Sequence, residues 1–210
     1  MRNLVLKFLL SLSSRLRRKR LRLLVDRCCI GSDTRILDVG GSSDWDWGEL
    51  GIHPTITHLN MYSPEEVNLP NYVQGDARNM HMFADGEFDL VISNSVIEHL
   101  LSRKDQDSMA REIQRVGKSY WVQTPNKHFP LELHLCFPFI QYWPVKWRIA
   151  FAQIWPFSFE KMRGHHEGAV ADAQVILLSK RQFHNLFPGS ELICEKLLGF
   201  SKSLIVFKGR

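Results

Sequence analysis

Apolar runs bounded by turn residues recur along this chain in alternation with helical patterns. Parallel strands must be joined by crossovers, which are usually helices, so this alternation is typical of a doubly wound α/β sheet. Five such runs predict strands, at residues 35–39, 55–60, 71–74, 88–92 and 119–123. Two further runs, 192–198 and 203–208, predict an antiparallel closing hairpin through Gly199. We therefore expect a mostly parallel sheet of seven strands.

Two helices are indicated by their ends. Residues 102–116 carry apolar side chains at helical spacing, and Gly117 is positioned to end that helix. Ser179 and Gln182 have the form of a capping box, which predicts a helix through Phe187.

Positive charge is concentrated at the beginning of the chain. Residues 1–27 hold nine Lys or Arg against Asp26 alone, a net charge of +8, whereas the rest of the chain has a net charge of −3. Alternating Leu and Arg predict a basic amphipathic helix that can bind an anionic membrane surface, with a helix packed on the sheet as the alternative. We divide the chain into this segment, 1–30, and a domain, 31–210. Because the domain is not basic, we expect no nucleic-acid partner.

The cysteines and the apolar runs indicate a cytoplasmic protein. Cys28 and Cys29 are adjacent, and Cys136 and Cys194 are far apart, so they form neither a disulfide framework nor a metal-binding spacing. No run approaches the roughly 20 apolar residues that span a bilayer. Arginines follow the run 4–10, where a signal peptide would have small residues. Any membrane attachment is therefore expected to be peripheral.

Residues 36–43 form an apolar strand that contains an acid and is followed by two glycines and small polar residues. Glycine lacks a Cβ and tolerates positive φ, so the chain can pass within contact distance of a ligand at the carboxyl ends of parallel strands. A dinucleotide site would need G-x-G-x-x-G, but after Gly40 and Gly41 the next glycine is Gly48. Pyrophosphate binding is disfavoured, and a plain tight turn after a core strand is the alternative interpretation of the segment.

Five motifs follow one another in the order found in class I S-adenosylmethionine-dependent methyltransferases of the broad type-11 group, which the chain resembles. They are residues 37–41, 59–62, 74–77, 88–100 and 120–126. The resemblance implies a Rossmann-like fold, S-adenosyl-L-methionine as the cofactor and methyl transfer as the activity.

The resemblance also implies a set of cofactor-binding residues. These are Asp38, Gly40, Gly41, Asn60, Met61, Asp76, Ala77, Asn94 and Ser95. Asn60 departs from the family, which usually has Asp or Glu there to accept both ribose hydroxyls. An amide oxygen accepts hydrogen bonds more weakly than a carboxylate. This departure supports an alternative interpretation, a catalytically inactive binding protein with the methyltransferase fold.

Transfer of a methyl group from a sulfonium requires alignment of the acceptor and exclusion of water, but no metal. An oxygen acceptor must also lose its proton, and His134, Glu132 and His128, just after the fifth strand, are the candidate catalytic bases. Each can instead be a polar residue that only stabilises its loop. Residues 165–167 contain His-His-Glu but have no second matching cluster, so we expect no metal site.

Residues 127–170 form an aromatic insertion after the fifth strand, with nine aromatic side chains between residues 135 and 170. These rings can cover an acceptor, stack on a sugar or lie at a bilayer interface. A helical subdomain packed on the core is the alternative. We expect the acceptor to be a hydroxyl of a carbohydrate, a glycolipid or another small molecule. Asn94 and Ser95 lack the Asn/Asp-Pro-Pro-Tyr pattern, which disfavours a nucleic-acid methyltransferase.

Overall fold

The computed structural model describes residues 2–41, 45–67, 69–165 and 168–209. A seven-stranded sheet with the order β3-β2-β1-β4-β5-β9-β8 forms its centre. The strands are β1 (Arg35–Val39), β2 (Thr55–Asn60), β3 (Tyr72–Gln74), β4 (Phe88–Asn94), β5 (Gly117–Pro125), β8 (Glu191–Leu197) and β9 (Phe200–Lys208). The first five are parallel, and β9 pairs antiparallel with both β5 and β8. The predicted fold class is therefore confirmed.

Both faces of the central strands are buried, because helices cover the sheet on each side. On one face Leu37, Val91 and Val122 pack against α3 (Arg103–Val116) and α7 (Lys180–Leu186). On the other face Leu90 and Trp121 pack against α1 (Arg2–Cys28). This burial explains why the strands are nearly continuous apolar runs.

Both helices predicted from their ends are present. The Ser102 side chain caps the first, and the capping box of Ser179 and Gln182 caps the second. Gly117 ends the first helix as predicted, since its amide donates a hydrogen bond to the carbonyl of Ile113, and with an extended backbone it also begins β5. A Cβ at this position would lie 2.6 Å from Val91 Cγ2, so close packing of β5 on β4 explains this glycine.

The basic N-terminal segment is helical, as α1, and its last two turns pack on the sheet. Leu21, Leu24 and Cys28 are buried there. Arg20 is also buried, with 6% of its surface exposed, so the basic residues of α1 do not all face outward. The boundary at residue 30 stays a prediction. None of the described helices is long and apolar enough to cross a membrane.

The described part of the aromatic insertion contains a small hairpin, a 3-10 helix (Ile140–Tyr142) and three α-helices. Apart from the 3-10 helix, they are β6 (Leu131–Glu132), β7 (Phe137–Pro138), α4 (Val145–Ile154), α5 (Phe159–Met162) and α6 (Gly168–Asp172), and the short α2 (Pro64–Val67) lies outside the insertion. The rings of Phe137, Phe151 and Trp155 pack on one another, with centroids 4.7–5.3 Å apart. In contrast, Trp147 and Ile154 are exposed over 67% and 81% of their surfaces. The insertion thus has its own apolar centre and an exposed apolar side.

Candidate active site

The turn after β1 is tight and depends on Gly40. Its φ is 71°, and its amide donates a hydrogen bond to the carbonyl oxygen of Leu59 at 2.7 Å. A Cβ at Gly40 would lie 2.6 Å from Val96 Cγ2. The glycine therefore permits both the left-handed backbone and the close contact with the segment after β4. Ser42 and Ser43, which complete the motif, lie outside the described residues.

The Asp38 side chain packs against this turn. It is buried, and its Oδ2 lies 3.7 Å from His58 Nδ1. A Cβ at Gly41 would lie 1.9 Å from the same Oδ2, so the Gly41 backbone rests directly on the carboxylate. This geometry fits the role of orienting the loop, one of the two roles that the resemblance implied for Asp38.

At the tip of β2, Asn60 and Met61 lie at the edge of the sheet. Asn60 Oδ1 accepts a hydrogen bond from the Met61 amide at 2.8 Å. Met61 and Tyr62 are each 62% exposed and present apolar surface beside this amide. An apolar surface next to a hydrogen-bond acceptor suits a nucleoside, whose base is flat and whose ribose carries hydroxyl donors.

At the tip of β3, the Asp76 carboxylate is engaged by the chain itself. It accepts hydrogen bonds from the Arg78 guanidinium at 2.6–3.0 Å and from the Arg78 amide at 2.8 Å. The Arg78 hydrogen bond is the largest effect that lowers the pKa of Asp76. Ala77 is partly buried against the core. A role for these two residues in adenine binding stays a prediction.

Asn94 and Ser95, after β4, are tied to a residue of α1. The Arg20 guanidinium donates to Asn94 Oδ1 and, at 3.0 Å, to Gln123 Oε1. It also forms an ion pair with Glu195 at 2.9 Å. Ser95 has a φ of 58°, and its hydroxyl donates to Gln123 Oε1 at 3.0 Å. Arg20 therefore joins the ends of β4 and β5 to β8, a role that the sequence did not indicate.

Beyond Ser95, the short 3-10 helix Ile97–His99 carries Glu98, which is fully buried. The Gln106 side chain donates to the carbonyl of Ile97 at 3.0 Å, and the Ile176 amide donates to the carbonyl of Glu98 at 2.7 Å. Glu98 Oε2 accepts from Thr124 Oγ1 at 2.9 Å, whereas Oε1 has no partner among the described residues. A fixed backbone thus holds a carboxylate with one free oxygen.

The hairpin of β6 and β7 brings His134 and Glu132 to the same place. Glu132 is buried and accepts from His134 Nδ1 at 2.7 Å and from the Leu135 amide at 2.7 Å. The His99 and His134 rings meet edge to face, with centroids 5.2 Å apart. We call Glu98, His99, Glu132 and His134 the Glu–His cluster.

The pKa values in the Glu–His cluster are strongly perturbed. Burial raises the pKa of Glu98 to about 7, and desolvation of the His99 ring within the cluster, with the neighbouring charge of His134, lowers the pKa of the otherwise exposed His99 to about 4. Burial alone would lower the pKa of His134, but the charge of Glu132 and the hydrogen bond to it outweigh burial and raise this pKa to about 9. Groups perturbed in this way concentrate at functional sites.

The other histidine candidates lie elsewhere in contacts of their own. His128 is exposed, and its Nδ1 is hydrogen-bonded to the Tyr142 hydroxyl at 2.9 Å. His165 Nδ1 pairs with Glu160 at 2.7 Å, while residues 166 and 167 lie outside the described part of the chain. The structure therefore brings together two of the three predicted catalytic residues, Glu132 and His134, and adds Glu98 and His99 to them.

Comparisons with known proteins agree with this architecture. Residues 52–120, about a third of the chain, match a family model described as a methyltransferase domain. A methyltransferase dependent on S-adenosylmethionine from Methanosarcina mazei is 13% identical with a TM-score of 0.51, covering 85% of this chain and 92% of its own. A protein from Anabaena variabilis, proposed to be a methyltransferase of an antibiotic biosynthesis pathway, is 17% identical with a TM-score of 0.53 over 84% of this chain and 64% of its own.

A protein from Bordetella parapertussis, described as a possible exported protein, is 12% identical with a TM-score of 0.56 over 92% of this chain and 67% of its own. At these identities the solved structures show the fold alone. No curated protein matches the chain in sequence.

The strand order is that of a doubly wound α/β sheet, in which ligands bind outside the carboxyl ends of the parallel strands. Residues 52–120 match the methyltransferase domain model, and the fold around them is similar to that of a solved S-adenosylmethionine-dependent methyltransferase, which implies S-adenosylmethionine as the cofactor.

Proposed function

We propose that this methyltransferase acts on a hydroxyl of a small molecule, with carbohydrates and glycolipids as the favoured class. The observation that carries the proposal is the Glu–His cluster, which follows β4 and β5 at the same edge of the sheet as the tips of β1 and β2. Hydroxyl acceptors need a partner for the departing proton. The cluster offers carboxylate and imidazole groups immediately after Asn94 and Ser95, where the resemblance implies the donor methyl.

In the proposed reaction the cofactor supplies an electrophilic methyl group on a sulfonium. The backbone at Gly40 and Gly41, with Asn60 and Met61, would hold the cofactor across the strand tips. The acceptor oxygen would form its bond to the methyl carbon as the sulfur–carbon bond breaks, and the hydroxyl proton would leave to Glu98 Oε1. His134, fixed by Glu132, would orient the acceptor beside that oxygen.

The aromatic insertion supports a sugar or lipid acceptor. Phe139, Tyr142 and Trp143 are all exposed, and the adjacent Lys127 ammonium lies 6.0 Å from the centre of the Tyr142 ring. Exposed rings next to hydroxyl and ammonium donors suit a sugar face, which presents C–H groups and hydroxyls together.

We further propose a cytoplasmic enzyme attached peripherally to an anionic membrane. Its support is the exposed apolar surface of α4, with Trp147 and Ile154, together with the exposed arginines Arg18 and Arg22 of α1. The four cysteines are free thiols, as expected in a reducing compartment. Co-sedimentation with vesicles containing phosphatidylglycerol should exceed that with neutral vesicles and fall for Trp147→Ala. Equal pelleting in all three cases would refute the attachment.

A second candidate is a methyltransferase-fold protein without turnover. Asn60 replaces the expected acid, and the Asp76 carboxylate is occupied by Arg78. Both observations favour weaker cofactor binding.

Calorimetric titration with S-adenosylmethionine, combined with transfer of labelled methyl to a panel of sugars, glycolipids and phenols, separates the candidates. Saturable binding with labelled product at a hydroxyl supports the enzyme. Binding without any product, or absence of binding, supports the second candidate and refutes the enzyme.

A further inference from the structure

The Glu–His cluster contains the donor set of a transition-metal site. One potential ligand atom each from Glu98, His99 and His134 lies within 4.8 Å of the other two. We propose that these three side chains bind a Zn²⁺ ion. Two imidazoles and one carboxylate are a ligand set that zinc uses where a coordination position stays open for substrate. Small side-chain rotations would bring each donor to the roughly 2.1 Å that zinc requires.

Glu98 provides an observation that is independent of this spacing. Its side chain is fully buried, and Oε1 has no hydrogen-bond partner among the described residues. A buried carboxylate oxygen without a partner lowers the free energy of unfolding, because its hydrogen bonds to water are lost on burial and no hydrogen bond within the protein replaces them. A bound cation at this oxygen would remove that cost.

Glu132 supplies the outer contact that metal-binding histidines usually have. Its Oε1 lies 2.7 Å from His134 Nδ1, and amides of the same hairpin hold its carboxylate in place. Because Nδ1 is engaged, Nε2 is the His134 nitrogen left to bind an ion. A carboxylate–histidine–metal arrangement fixes the ring and strengthens the ligand.

The charges around the cluster also favour a cation. Glu98, Glu132 and Asp172 place three carboxylates in one buried region, and Asp172 Oδ2 has no partner among the described residues. Arg148 contributes one buried guanidinium, whose described hydrogen bond goes to the Val175 carbonyl. Buried carboxylates need compensating charge, and a divalent ion would supply it.

The chemical role of the ion rests on the proposed function. Zinc bound here would coordinate the acceptor oxygen in place of its contact with Glu98 Oε1 and would lower the pKa of the hydroxyl, whose proton would then leave to water. The favoured acceptor is then a hydroxyl that can coordinate the ion directly. Metal binding itself does not depend on this role.

The test uses untagged full-length protein, stripped with a chelator and titrated with Zn²⁺, Co²⁺ and Mg²⁺ in the absence of S-adenosylmethionine. We expect one equivalent of Zn²⁺ or Co²⁺ per chain, visible absorption bands from bound Co²⁺, and no binding of Mg²⁺, which prefers oxygen ligands. His99→Ala and His134→Ala should each weaken binding at least 100-fold. Glu132→Gln should weaken it about 10- to 100-fold.

His165→Ala is the matched control, because this exposed histidine also pairs with a glutamate but lies outside the cluster. It should leave the titration unchanged, and circular dichroism should show that all variants are folded. Absence of stoichiometric binding, or equal binding by His99→Ala, His134→Ala and the parent protein, would overturn the inference. In that case methyl transfer can persist with Glu98 as the direct base, whereas loss of S-adenosylmethionine binding would refute the proposed function whatever the metal result.

Discussion

The two halves of the crevice are built in different ways. At the proposed donor end, formed by the turn after β1 and the tips of β2 and β3, Asp38 lies against Gly41 and His58, Asn60 accepts a hydrogen bond from the Met61 amide, and Asp76 accepts one from the Arg78 guanidinium. At the acceptor end, the Glu–His cluster keeps Glu98 Oε1 without a partner among the described residues.

This difference indicates how each end works. A donor end made of tight turns and internally bonded side chains presents mostly backbone and apolar surface, which suits a cofactor held in one fixed position. An acceptor end with buried, incompletely bonded titratable groups is destabilised by itself and suited to chemistry. Four substitutions test this distinction.

Glu98→Gln should have the largest effect. The amide keeps the size of the side chain and a bond to Thr124 but cannot take up the hydroxyl proton or serve as an anionic ligand. Methyl transfer should fall about 100- to 10,000-fold while the affinity for S-adenosylmethionine stays unchanged. Labelled-methyl assays and calorimetry measure the two quantities. Glu191→Gln, at an exposed glutamate, is the control, and a Glu98 variant with parental turnover would contradict the assignment.

Arg20→Met tests the junction between the two ends. The substitution leaves Glu195 without its ion-pair partner and removes the Arg20 hydrogen bonds to Asn94 and Gln123, of which Gln123 keeps the one from Ser95. Breaking a buried pair costs about 3–5 kcal/mol of unfolding free energy, to be measured by urea denaturation. Arg22→Met removes an exposed pair with Glu49 and should cost less than about 1 kcal/mol. Equal losses for both variants would show that burial of Arg20 has no energetic consequence.

Gly40→Val tests the donor end. A branched side chain would clash with Val96 and force an unfavourable positive φ, so we expect loss of S-adenosylmethionine binding and a fall of about 1–3 kcal/mol in unfolding free energy. Gly51→Val has a similar φ but open space around its Cβ position, and it should retain binding. Parental affinity in the Gly40 variant would mean that the cofactor lies elsewhere.

Asn60→Asp should have the smallest effect, and in the opposite direction. A carboxylate accepts the ribose hydroxyls more strongly than an amide does, so affinity should rise by about 3- to 10-fold. Calorimetric titration of the parent protein and of the Asn60→Asp variant with S-adenosylmethionine measures the change in affinity. An unchanged or weaker affinity would show that the tip of β2 does not contact the ribose.

The strands of the sheet could be predicted from sequence because each strand depends on the pattern of its own residues. The bounds of β1 and β2 agree with the predicted runs, and β1, buried at four of its five positions, shows why a strand covered on both faces is largely apolar. Gly117 ends the helix as predicted, but its close packing against Val91 of the neighbouring strand could not be predicted from local sequence.

The site was less predictable because its contacts are distant in sequence. Glu98 was only part of a motif, and its proximity to His134 depends on how the insertion folds back over β5. Arg20 was counted among outward-facing basic residues, yet its partner Glu195 is 175 positions away. The buried acid in Ile97–His99, directly after a strand that ends at the crevice, was the one sequence signal that could have pointed to the cluster.

A crystal structure with S-adenosylhomocysteine tests the central claim most directly. The account predicts the ligand across the tips of β1, β2 and β4, with its ribose beside Asn60 and its sulfur directed toward Glu98 and His134. A ligand bound elsewhere, or a crevice that stays closed at saturating concentration, would contradict it.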